Sequence, residues 1–153
     1  MQKKESHLEF FKNAIISTVK SISKKKDCEI KFGKSTNQTS SEKFINLPEI
    51  NKLENLNDFL LFRAKADSEA LRLKYSDKDI FERHKPKGEM SQKLYQIAEK
   101  IRYEKIGSED FAGVKKNLFI QYKENQLKLK SNKNKLEESF DNYLKSFFFN
   151  IKE

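Results

Sequence analysis

Phe59, Phe62, Ala66, Ala70 and Leu73 recur at steps of three and four residues, and Leu60, Ala64 and Leu71 form a second stripe beside them. Such steps suit an α-helix, whereas a strand needs alternation at every second position. Two adjacent stripes make an apolar face wide enough for a central, well-buried helix. The same spacing returns in Leu8, Phe11, Ile15, Val19 and Ile22, in Met90, Leu94, Ile97 and Ile101, and in Phe111, Val114, Leu118 and Tyr122. Leu136, Phe140, Tyr143, Leu144, Phe147 and Phe148 add a last, strongly amphipathic segment. With only 4 Gly and 2 Pro in 153 residues, tight turns are few and helices long. The sequence therefore predicts a mainly α fold, a single helical domain over 1–153 with five to six helices.

Boundary signals divide the chain further. Ser6 and Glu9 read as a capping box opening a helix that runs to Lys24. "CEIKFG" and "KFINLPE" shift to alternation, and the polar "KSTNQTSSE" lies between them. They predict a short β-hairpin with a polar loop over residues 29–48. A helical core follows over 55–130. Within it Ser76 caps a short helix to His84, which stops before Pro86. Gly88 opens the next helix, Gly107 ends it, and Ser108 caps another. "KLKSNKNK" is a polar break before a C-terminal amphipathic helix over 135–150.

Several function classes lose support at once. Cys28 is the single cysteine, so no internal disulfide forms, which fits the cytoplasm. With only His7 and His84 beside it, a Cys/His zinc site lacks ligands. Cys28 itself, in "KKKDCEIKF", reads as a small strand-edge residue rather than a nucleophile. "GKST" at 33–36 has the tail of a phosphate-binding loop, but Cys28 stands where the first glycine is required. No signal peptide and no run of about 20 apolar residues is present, so no membrane association is expected. Neither a nucleophile–base pair nor a paired-carboxylate set stands out, so no catalytic, cofactor-binding or metal-ligating residue is assigned.

The net charge of +9 raises a nucleic-acid-binding module as the alternative. Only four of the 32 basic residues are Arg, and Lys is interleaved with Glu along the whole chain. Groove recognition favours the planar Arg fork. The candidate helix-turn-helix over 77–106 begins its second helix "EMSQKLYQ", acidic first and without Arg in its first turns. Solvated helix faces explain the charge better, and no specific nucleic acid is expected.

Charge on apolar stripes is more informative. Asp67 lies on the Leu60–Ala64–Leu71 stripe one turn after Arg63, an order that supports an exposed helix only weakly. Glu104 lies on the Ile97–Ile101 stripe near Glu99 and Arg102. These positions predict a buried or half-buried polar network. Arg72 and the basic turn Arg83, His84 and Lys87 complete the candidate docking residues.

The order "FFKNAIISTVKSI", "EIKFG", "INLPE", "RAKADSEALRLKYSD", "PKGE", "AEKIRYEKIG" and "FAGVKKNL" resembles the N-terminal region of the CobT subunit of aerobic, ATP-dependent cobaltochelatase, over roughly residues 10 to 120. The order and spacing of A-D-x-x-A-L-R-L (Ala66–Leu73), P-x-G-E (Pro86–Glu89), R-x-E-x-I-G (Arg102–Gly107) and G-V-x-x-N-L (Gly113–Leu118) carry the likeness. Ala64 and Ser76 stand where the family tends to have Gly and His. The resemblance implies a part in cobalt insertion during cobalamin synthesis. It implies as partners the ATPase-ring subunit and the large corrin-binding subunit. ATP, Mg and cobalt belong by this resemblance to the whole complex. The family's C-terminal von Willebrand-type domain, with its D-x-S-x-S motif, has no counterpart in these residues.

Overall fold

The computed structural model describes residues 2–33, 44–50, 55–128 and 135–150. In chain order these form α1 (Gln2–Ser23), β1 (Glu29–Phe32), β2 (Phe44–Leu47), α2 (Leu56–Tyr75), α3 (Lys78–Arg83), α4 (Glu89–Asp110), α5 (Ala112–Lys128) and α6 (Lys135–Phe149). The fold is mainly α with a small β insertion, as the periodicity predicts. Two compact units divide the chain, residues 1–74 and 75–153.

In the first unit α1 buries Ile15, Val19 and Ile22, while α2 buries Phe62, Ala64, Ala66, Ala70, Leu71 and Leu73. Both faces are those drawn by the three- and four-residue steps. Full burial of an aliphatic side chain such as Ile15 or Leu71 is worth about 1.5–3 kcal/mol. Aromatic contacts join the elements: the Phe11 ring meets Phe59 at 4.8 Å and Phe62 at 6.0 Å, and Phe32 stacks on Phe62 at 6.1 Å. Because α1 begins at Gln2, Ser6 lies inside the helix and is not its N-cap. Lys24 ends α1 in the left-handed conformation, φ 58°, where glycine is usual. The Ser23 hydroxyl accepts the Lys25 N–H at 3.3 Å and helps hold that turn.

The two strands pair where expected but in parallel, which corrects the hairpin. Glu29 faces Phe44, Ile30 faces Ile45, and Phe32 faces Leu47. Alternation cannot tell the two directions apart, because either puts Ile30, Phe32, Ile45 and Leu47 on one face. The connection decides instead: residues 33–43 are long for a hairpin tip and close to the dozen that a parallel crossover needs. Gly33, at φ 123°, leaves β1 and donates its N–H to the Leu47 carbonyl at 3.0 Å.

In the second unit α4 packs against α5 and α6. Ile101, Tyr103, Val114, Leu118, Tyr122 and Phe149 form the buried centre. Asp77, not Ser76, caps α3, accepting the Ile80 N–H at 2.9 Å. His84 closes that helix before Pro86, as the Lys85-Pro86 step requires. Gly107 does not end α4, which continues to Asp110. The extended residue Phe111 makes the break instead and returns its N–H to the Gly107 carbonyl at 2.9 Å. Ser108 consequently caps nothing and donates to the Lys105 carbonyl at 2.8 Å. The polar break before α6 falls mainly on residues outside those described.

Candidate functional site

Asp67 sits on α2 with 1% of its surface exposed, one turn after Arg63, whose Nε donates to Oδ1 at 3.0 Å. The Arg63 side chain keeps 31% of its surface in water. A solvated guanidinium thus carries its charge down to a buried carboxylate, and the pair is far from an ordinary surface bridge. One turn on, Arg72 Nε donates to Glu69 at 2.9 Å, while its Nη2 is buried and has no hydrogen-bond partner. Cys28 is buried, and burial pushes its thiol up against the opposing pull of Lys20, Arg72 and Lys25. An elevated thiol is a poor nucleophile, so Cys28 acts as core.

The second unit holds a polar clamp that joins Tyr75 and Ser76 to α4. Ser76 donates to Glu99 Oε1 at 2.6 Å, and Arg102 donates to Glu99 from Nε at 2.7 Å and from Nη2 at 2.8 Å. The same Nη2 reaches the Tyr75 carbonyl at 2.6 Å, and the Tyr75 hydroxyl donates to Asp110. That carbonyl lies at the C-terminus of α2, where a cation is favoured. Burial pushes the Glu99 carboxyl up, but the Arg102 and Ser76 hydrogen bonds outweigh it and hold it below its usual range. Burial, then the Asp110 hydrogen bond and charge, push the Tyr75 phenol up to about 12.

Glu104 does not join Glu99 and Arg102. It is fully buried and accepts the Tyr122 hydroxyl from α5, with Lys100 Nζ 3.9 Å away. Lys145 of α6 lies over the Tyr122 ring at 4.7 Å and donates to Asp141. Burial and the charge of Glu104 drive the Tyr122 phenol far above its ordinary range, so it stays a hydrogen-bond donor.

The basic turn is built on a short element, α3, that has no buried residue. Phe81 stacks on Tyr95 at 4.7 Å, and the Tyr95 hydroxyl donates to the Phe81 carbonyl at 3.3 Å, fastening α3 to α4. Lys85 pairs with Glu82, and Lys93 with Glu89. Arg83 and Lys87 remain exposed with no acid partner among the described residues. His84 is exposed and its Nδ1 lies 2.9 Å from the Ile80 carbonyl.

Six of the nine predicted residues thus find side-chain partners, while Arg83, His84 and Lys87 stay exposed on the basic turn. Arg63 and Asp67 are brought together, as are Glu99 and Arg102, while Glu104 finds Tyr122 and Arg72 finds Glu69. Sequence reasoning missed Tyr75, Ser76, Asp110, Tyr122 and Lys145. Tyr122 had a signal: a tyrosine on an apolar stripe buries a hydroxyl that must find a partner. Lys145, inside an apolar segment, had none. Among the described residues no group of three or more His, Cys, Asp or Glu could hold a metal ion, and no helix is long and apolar enough to cross a membrane. The arrangement can fix shape and present positive charge.

Residues 5–139 match the model of the family described as cobalamin biosynthesis protein CobT. No solved structure matches the chain. With the match spanning most of its length, the chain belongs to the CobT family, and its role lies in cobalamin biosynthesis.

Proposed function

We propose that this chain is the N-terminal assembly domain of a cobaltochelatase subunit, acting in the insertion of cobalt into a corrin ring. Its docking partners in this reading are the ATPase-ring subunit and the large corrin-binding subunit. Cobalt is a substrate of the whole complex, and ATP with Mg is used on another subunit. The contribution of this chain is a rigid, charged contact surface.

The observation that carries the reading is the turn between α3 and α4. The Phe81–Tyr95 stack fastens α3 to α4 across it, and it offers Arg83 and Lys87 without acid partners among the described residues. Surface charge left uncompensated on a fixed scaffold steers an acidic partner and sets its register. Cobalt insertion reconstituted from the other two subunits tests this. Addition of the wild-type chain should change the rate, and the Arg83→Glu/Lys87→Glu chain should lose that effect. A rate indifferent to the wild-type chain would overturn the reading.

A further inference from the structure

The parallel pair of β1 and β2 is a sheet with an open side. Gly33 donates its N–H to the Leu47 carbonyl, and Lys31 faces Asn46 in register. A trans peptide sets the Phe32 carbonyl opposite to the Gly33 N–H, and along a strand successive residues turn their main-chain groups to opposite edges. Glu29 and Lys31 therefore address β2, while Ile30 and Phe32 turn N–H and C=O away from it. Among the described residues no hydrogen bond reaches those outward groups. Two strands fall short of the three that make a sheet stable, and parallel pairing is the weaker kind. The inner face is already built: Ile45 and Leu47 are buried, and Phe32 stacks on Phe62. The outer edge of β1 is not, and its main-chain groups need water or another strand.

We infer that β1 takes up an extended segment of a partner protein, one in which acidic residues alternate with apolar ones, as a third strand along this edge. Main-chain bonds to Ile30 and Phe32 supply the pairing, and side chains supply the selection. On one face the added strand lies beside Ile30 and Phe32, which asks for apolar side chains. On the other it lies beside Glu29 and Lys31, both exposed. Charge decides that second set. Residues 24–33 hold four Lys against Asp27 and Glu29, and Glu29 is already paired with Lys31 at 3.8 Å. Lys24 and Lys26 are exposed just ahead of β1, and Lys12 of α1 lies over the Phe32 ring at 5.7 Å. A second copy brings the same lysines and the same +9, so like charge opposes it, whereas an acidic segment is attracted. Nucleic acid shares the negative charge but lacks the alternating N–H and C=O groups that a strand edge pairs with. This contact uses no residue of the basic turn between α3 and α4.

Amide hydrogen exchange of the whole chain, followed residue by residue by NMR, tests the docking. In the free chain the Lys31 and Gly33 amides should exchange slowly, and those of Ile30 and Phe32 fast. A capped peptide that alternates valine with glutamate over about six residues, added at about 1 mM, should slow Ile30 and Phe32 about tenfold or more, and salt should weaken the effect. The same peptide with lysine for glutamate should leave both amides fast through repulsion. One with proline at alternate positions should do so for want of N–H donors. Lys31→Glu should cut the affinity for the glutamate peptide about tenfold with an unchanged circular dichroism spectrum. Lys116→Glu, the same change of charge at an exposed position of α5, should leave it intact. No slowing by the glutamate peptide, or equal slowing by the lysine peptide or by a single-stranded oligonucleotide, would overturn the inference. So would an affinity unmoved by Lys31→Glu, or slowing brought on by raising the chain concentration alone.

Discussion

The Tyr122 hydroxyl on α5 donates to the Glu104 carboxylate on α4, and Glu104 is wholly out of water. The bond ties α4 to α5 at one defined pair of positions. Tyr122→Phe keeps the ring against Phe149 and Lys145 but takes a donor from a buried acid. The expected cost is about 1–3 kcal/mol in urea denaturation, the usual penalty for a buried group losing a hydrogen-bond partner. A change under about 0.5 kcal/mol would mean that the acid is satisfied without the phenol.

Arg63 and Asp67 should respond unequally to truncation. Arg63→Ala strips the guanidinium from an acid that is 1% exposed, so the loss should approach about 3 kcal/mol. Asp67→Ala leaves behind a cation that already reaches water, and about 1–2 kcal/mol is expected. Equal losses in the two single mutants would contradict this asymmetry, and the double mutant would then report the coupling directly.

The clamp at Glu99 and Tyr75 should show in the pH dependence of stability. Glu99 has a depressed folded pKa, so its contribution is present above the unfolded carboxylate range and is lost as pH falls through the folded value. Unfolding midpoints should therefore drop below about pH 4, and Glu99→Gln should flatten that limb. Tyr75 is the opposite case. Its phenol is raised to about 12, so its contribution is complete at neutral pH and is lost as pH rises from the usual tyrosine value towards 12. Tyr75→Phe should remove that alkaline loss; a limb unchanged by the substitution assigns the loss to other groups.

Much of this was legible before any coordinates. Apolar steps found the five long helices because core faces repeat at the helical period, the Pro86 stop marked the short α3, and alternation found both strands at 29–32 and 44–47. What failed was local chemistry overridden by context. Gly107 reads as a terminator, yet it continues α4, where it is buried together with Tyr103, Glu104 and Ser108. Ser76 reads as a cap, but Asp77 takes that role and Ser76 turns to Glu99. The burial of Asp67 was readable because an exposed pair there would be worth so little. The exposure of Leu136, Tyr143 and Phe147 on α6 was not, since amphipathicity gives a face and never its direction.

Binding to duplex DNA should be weak and independent of sequence. Lysines dispersed over both units give attraction that falls steeply with salt, without base readout. Fluorescence anisotropy at low and physiological salt checks this, and sequence-selective binding at physiological salt would favour the nucleic-acid alternative.

The docking account rests on Arg83 and Lys87, and the most direct measurement is binding of the chain to the purified ATPase-ring subunit and to the large corrin-binding subunit by biolayer interferometry across a salt series. The account predicts binding to at least one of them that weakens with salt and falls about tenfold or more in the Arg83→Glu/Lys87→Glu variant. Binding to neither subunit, or binding unchanged by the double charge reversal, would contradict it.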